Sequence, residues 1–85
     1  MQYNVNFRTS ALHEFRNLSE DIKNRMKIAI DTLKQNPRPL GVRKIQGREN
    51  LYRLRIGSYR LVYEIDDHEK IILVTRVRHR RDAYR

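Results

Sequence analysis

The sequence predicts an α+β domain: a small antiparallel sheet of about four strands, with two N-terminal helices packed as a hairpin on one face, in the order β-α-α-β-β-β(-β). Three observations predict it. Residues 2–8 alternate apolar and polar, residues 10–33 switch to helical periodicity, and from residue 42 onward extended runs are separated by turn residues. With 85 residues the chain has room for one domain, spanning 1–85. A chain this short buries roughly 60–65% of its unfolded surface, enough for one modest core.

Each element follows from its residues. Tyr3, Val5 and Phe7 alternate with Gln2, Asn4, Asn6 and Arg8, the period of a half-buried strand. Thr9 or Ser10 caps a short helix to about Asn17, with Ala11, Leu12, Phe15 and Leu18 as its apolar stripe. Ser19 caps a second helix, whose first turn holds Glu20 and Asp21 against the positive end of the dipole. Ile22, Met26, Ala29, Ile30 and Leu33 recur on one face of it. It stops before Pro37, because a residue preceding proline avoids the helical region. The short joint between the helices predicts an antiparallel hairpin. Residues 36–41 form a loop holding both prolines, residues 42–45 a short strand closed by Gln46-Gly47. Residues 51–56 and 59–65 are strands joined by Gly57-Ser58, a two-residue turn. After a polar turn at 66–69, residues 71–77 are apolar on both sides, as in a central strand covered on each face.

Composition excludes several functions. Without Cys there are no disulfides and no thiolate metal sites. His13, His68 and His79 lack ligand spacing, and Asp66, Asp67 and Glu69 read as a turn, so no metal and no cofactor is expected. There is no Gly-rich phosphate loop. No apolar run nears the roughly 20 residues of a membrane span and no signal peptide is evident, so a cytoplasmic protein is expected. The net charge is +9, with 14 Arg against 5 Lys, and the excess lies toward the C-terminal half. Arg presents a planar donor fork to phosphate and stacks on bases, so a polyanion is the expected partner. The plainer alternative is a charged, solubilising surface.

The tight turn fixes a register: Ile56 faces Tyr59, Arg55 faces Arg60, Leu54 faces Leu61 and Arg53 faces Val62. Tyr52, Leu54, Ile56, Tyr59, Leu61 and Tyr63 then share one face, and Arg53, Arg55 and Arg60 the other. Like charges directly opposed on a sheet are destabilising. Either their side chains splay into water, or an anion belongs between them, and phosphate is the anion that fits converging Arg forks. Residues 76–85 repeat the signal, with five Arg, His79 and Tyr84. Aromatics among arginines suit stacking on unpaired bases.

Five stretches carry a family resemblance: Phe7-Arg8-Thr9-Ser10-Ala11-Leu12, Lys44-Ile45-Gln46-Gly47, Leu51-Tyr52-Arg53-Leu54-Arg55-Ile56, Gly57-Ser58-Tyr59-Arg60-Leu61-Val62-Tyr63-Glu64-Ile65, and Val77-Arg78-His79-Arg80-Arg81-Asp82-Ala83-Tyr84. In this order the chain resembles the RelE/ParE superfamily of type II toxin–antitoxin toxins, on the RelE branch. The resemblance implies a ribosome-dependent endoribonuclease that cuts mRNA in the ribosomal A site by metal-independent 2′-OH transesterification. It implies as partners an acidic RelB-like antitoxin, the ribosome with its rRNA, and mRNA, with the toxin monomeric outside its antitoxin complex.

The resemblance also implies roles. Arg60 matches the arginine that contacts the scissile phosphate. Arg80 matches one assigned to transition-state charge or proton transfer, and Tyr84 the terminal tyrosine that stacks or moves a proton. Arg53 and Arg55 stand where well-known members have lysines. Arg cannot act as a base, so these two, with Lys44, Arg78 and Arg81, are expected to bind RNA phosphates. His79 is the expected base, its ring kept neutral by surrounding arginines; if strand alternation turns it away, Arg80 and Tyr84 share the proton work. Two alternatives stand beside the nuclease: a ParE-like toxin that binds DNA gyrase without chemistry, and a basic RNA-binding protein or toxin lacking activity.

Overall fold

In the computed structural model, which describes residues 2–79, strand β1 (Asn4–Phe7) leads into helices α1 (Thr9–Arg16) and α2 (Glu20–Gln35). Strands β2 (Arg43–Lys44), β3 (Leu51–Ile56), β4 (Tyr59–Asp66) and β5 (Ile71–His79) follow. Ser19 stands at the N-cap of α2 as expected, whereas α1 begins one residue early, with Arg8 in the cap position. The five strands form one sheet in the order β1-β5-β4-β3-β2.

The element order is the expected one, with the optional last strand present. One pairing departs from the antiparallel expectation: β1 joins β5 in parallel, Asn4 beside Ile71 through Phe7 beside Val74. Alternation reveals that residues 4–7 are extended; it carries no information about their partner or its direction. β5 lies inside the sheet as predicted, between β1 and β4, but helices cover only one of its faces. The β3–β4 register is the one dictated by the Gly57-Ser58 turn, from Ile56 beside Tyr59 to Arg53 beside Val62.

Helices cover one face of the sheet. Met26, Ile30 and Leu33 of α2 and Ala11 of α1 close over Leu61, Tyr63 and Ile65 of β4 and Ile72, Val74 and Val77 of β5. Burying each large aliphatic of this set contributes about 1.5–3 kcal/mol before entropy is counted. Both helices make more of their contacts with the sheet than with each other, α1 mainly with β5, α2 with β1 and β3. The hydroxyl of buried Tyr63 donates to the Pro37 carbonyl at 2.9 Å, and burial raises its pKa.

Two irregularities position the functional residues. The first is a β-bulge in β5. Val62 pairs with Arg76 but Tyr63 with Val74, so Thr75 is the extra residue, and its hydroxyl donates to the Val62 carbonyl at 3.3 Å. An extra residue reverses which side chains face which way beyond it. Ile72 and Val74 point into the core before the bulge, Val77 after it. The second is a polar clasp on the proline loop. Arg38 donates to both carboxylate oxygens of Asp67, at 3.2 and 2.8 Å, and through Nε to the Tyr52 hydroxyl at 3.2 Å. The Tyr3 hydroxyl donates to Asp67 at 2.6 Å. Held chiefly by Arg38 and then by Tyr3, the Asp67 carboxyl has its pKa pulled down to about 2. The segment expected to be only a turn therefore fastens β1 and the loop that delivers Gly41 and Arg43.

Candidate functional site

The face of the sheet away from the helices is an arginine surface. Arg55 lies opposite Arg60, and Arg60 opposite Arg78 on β5. One row further on, Arg43 lies opposite Arg53, Arg53 opposite Val62, and Val62 opposite Arg76. Neighbouring strands stand about 4.8 Å apart and successive same-face residues about 6.7 Å. Six guanidinium groups thus occupy a patch two rows deep. Between them is a cavity of about 240 Å³ lined by Gly41, Arg43, Arg53, Arg55 and Arg60.

The sequence puts these groups here for separable reasons. The tight turn aligns Arg55 with Arg60. The bulge at Thr75 brings Arg76 and Arg78 to this face while Val77 stays in the core. The clasped proline loop delivers Arg43. Arg60 is half-buried, with Nη1 shielded from solvent. Arg55 Nε reaches back to the Gly57 carbonyl at 3.3 Å, and Gly57 takes the positive φ of +61° that the turn needs. Arg78 Nε donates to Glu14 Oε2 of α1 at 2.7 Å, and Glu14 Oε1 accepts from the Val77 backbone N–H at 2.8 Å.

Of the residues expected in the site, Arg53, Arg55, Arg60 and Arg78 are brought to one face. Lys44 pairs with Tyr52, which sets it on the other side of the sheet edge, although it shares a shallow hollow with Arg53. His79 pairs with Tyr59 on the helix side, its ring edge-on to the tyrosine at 5.2 Å between centroids. The bulge is the cause: counted by plain alternation from Val74, position 79 would fall among the arginines. Arg80, Arg81 and Tyr84 lie outside the described residues.

Three contributors were missed by sequence reasoning. Arg76 needs the bulge and Arg43 needs the β2–β3 register, neither of which leaves a local signal. Glu14 did leave one. It falls three residues after Ala11 and four before Leu18, an acid on the inward stripe of α1.

Chemically, such a surface can bind and stabilise multiply charged oxygen anions. Guanidinium forks pair bidentately with phosphate, and they cannot accept a proton at any physiological pH. Among the described residues no group of three or more His, Asp or Glu side chains could hold a metal ion. No helix of the described chain is long and apolar enough to cross a membrane.

Comparison with known proteins converges on one group. A family model described as the ParE toxin of the type II toxin–antitoxin system, parDE, matches residues 5–84. Toxin RelG of Mycobacterium tuberculosis is 33% identical over 86 residues, covering 100% of this chain and 99% of its own. The mRNA interferase toxin RelE of Escherichia coli K12 is 30% identical over 88 residues, covering 99% and 92%. Among solved structures, the archaeal RelE–RelB complex from Pyrococcus horikoshii superposes with a TM-score of 0.84 at 27% identity, covering 94% of this chain and 97% of that one.

Proposed function

The chain belongs to the ParE toxin family of type II toxin–antitoxin systems, and we propose that it is a RelE-type endoribonuclease that cuts mRNA in the ribosomal A site. The observation that carries the proposal is the convergence of Arg43, Arg53, Arg55 and Arg60 around one cavity, with Arg78 beside Arg60. A polar, positively lined hollow of this kind suits a phosphodiester. The names of its relatives support the same reading, since one is called an mRNA interferase.

In the proposed reaction the ribose 2′-oxygen attacks the adjacent phosphorus. The bond from phosphorus to the 5′-oxygen breaks, leaving a 2′,3′-cyclic phosphate and a 5′-hydroxyl. Negative charge builds on the phosphoryl oxygens as the fifth bond forms, and Arg60 with Arg53 and Arg55 offsets it. Because His79 is turned to the helix side, the proton leaving the 2′-hydroxyl is assigned to Tyr84 acting as phenolate, and the 5′-oxygen takes its proton from water while the Arg80 guanidinium, which stays charged, stabilises it. The ribosome supplies the alignment of substrate, and positioning accounts for a large share of such barriers. The proposed regulator is an acidic RelB-like antitoxin, complementary in charge to a surface of +9.

Adding the protein to a cell-free translation reaction tests this. Loss of product with mRNA cut at codon positions is expected, and Arg60→Ala should lower cleavage about a hundredfold, the scale of one removed transition-state donor. Intact mRNA with inhibited DNA supercoiling would favour instead a gyrase-directed toxin.

A further inference from the structure

Beyond Phe7 and Val74, β5 loses β1 as its neighbour, and the next stretch of its edge faces α1. The Val77 N–H on that edge would be orphaned there without an acceptor, at a cost of about 1–3 kcal/mol. Glu14 supplies it, and its second oxygen takes Arg78 Nε. Supplying one acceptor does not require a charge, because a glutamine would serve. A carboxylate held three-quarters out of solvent loses hydration that its pairing must repay. The second hydrogen bond explains the choice: only a carboxylate both accepts the strand N–H and pairs with the guanidinium.

Resting on the ribonuclease reading above, we propose that Glu14 is a positioning residue for that reaction. It ties the end of β5 to α1 and fixes the plane of the Arg78 guanidinium next to Arg60, leaving the Nη hydrogens of Arg78 to meet an RNA phosphate. Glu14 touches no substrate in this scheme; it acts through Arg78 and the strand end.

The experiment is a double-mutant cycle with the full chain in a reconstituted translation reaction, with cleavage rate at saturating ribosomes and thermal melting measured in parallel. Glu14→Gln keeps an acceptor for Val77 and loses the ion pair. Cleavage is expected to fall at least fivefold while the protein still melts cooperatively. Arg78→Lys, which retains the charge without the fixed plane, should fall comparably. In an Arg78→Ala background, Glu14→Gln should cost less than twofold more, because the residue acts through the group already removed. The inference is overturned if the wild type cuts mRNA and the losses multiply independently, or if Glu14→Gln or Arg78→Lys cuts at the wild-type rate. A wild type that cuts no mRNA overturns the ribonuclease reading, and this inference with it.

Discussion

Replacing Arg55 by Thr should make the protein more stable and less active at once. Arg55 and Arg60 form the first pair beyond that flanking the two-residue turn. In such a hairpin this is a pair without mutual hydrogen bonds, with α-carbons only about 4.5 Å apart. Opposed like charges there cost about 0.2–1 kcal/mol. The hydrogen bond Arg55 makes among the described residues, to Gly57 at 3.3 Å, is exposed and long, so little is lost with it. For a domain of this size, relief of the repulsion corresponds to a rise in Tm of about 1–8 °C at low salt. At about 1 M salt, where the screening length is roughly 3 Å, the rise should largely vanish. Cleavage in the translation assay should drop about tenfold or more, the scale of one charge-assisted hydrogen bond to phosphate. The reasoning is refuted if the variant melts lower than wild type at low salt, or if a gain persists unchanged at high salt. The first outcome would mean that Arg55 holds the fold together, the second that the gain comes from the strand preference of Thr.

Further outcomes follow from other sites. His79→Ala should keep more than a tenth of wild-type cleavage in single-turnover assays; a loss of about 10²–10⁴-fold would restore it as a general base. Asp67→Asn should lower Tm at neutral pH, and the gap should close in acid. The folded-state pKa of about 2 lies below the unfolded value near 4, so the contribution is complete above about pH 4 and is lost as pH falls through 2. Melting curves of both proteins across that range check the sign.

Local chemistry made most of the fold legible. Gly57-Ser58 dictates the β3–β4 register residue by residue, and through it the confrontation of Arg55 with Arg60. Pro37 and Ser19 bound α2 for reasons that stay within a few residues. What remained hidden depends on pairings distant in sequence. The parallel neighbour of β1 is 67 residues away at Asn4 and Ile71, and no alternation pattern encodes a partner. Likewise, Ile71 to Val74 is apolar on both sides upstream of the bulge, so no alternation marks the change of phase at Thr75. That ambiguity concealed Arg76 and misplaced His79. Asp67 was read as a turn residue because its partners, Tyr3 and Arg38, come from opposite ends of the helical half.

The extra residue in β5 also separates two inheritances within a single strand. Upstream of it, even-numbered positions answer to hydrocarbon; downstream, the same parity answers to solvent and to whatever anion docks there. Ironing the bulge out with Thr75 kept, so that Thr75 paired with Val62 and Arg76 with Leu61, would leave Ile72 and Val74 content while driving two guanidinium groups toward the core and expelling Val77. A slip of one residue, with no change of sequence, would exchange the wet and dry sides of the strand's last third. The span most exposed to such a slip is therefore the one that ends at His79, where Arg78 meets Glu14.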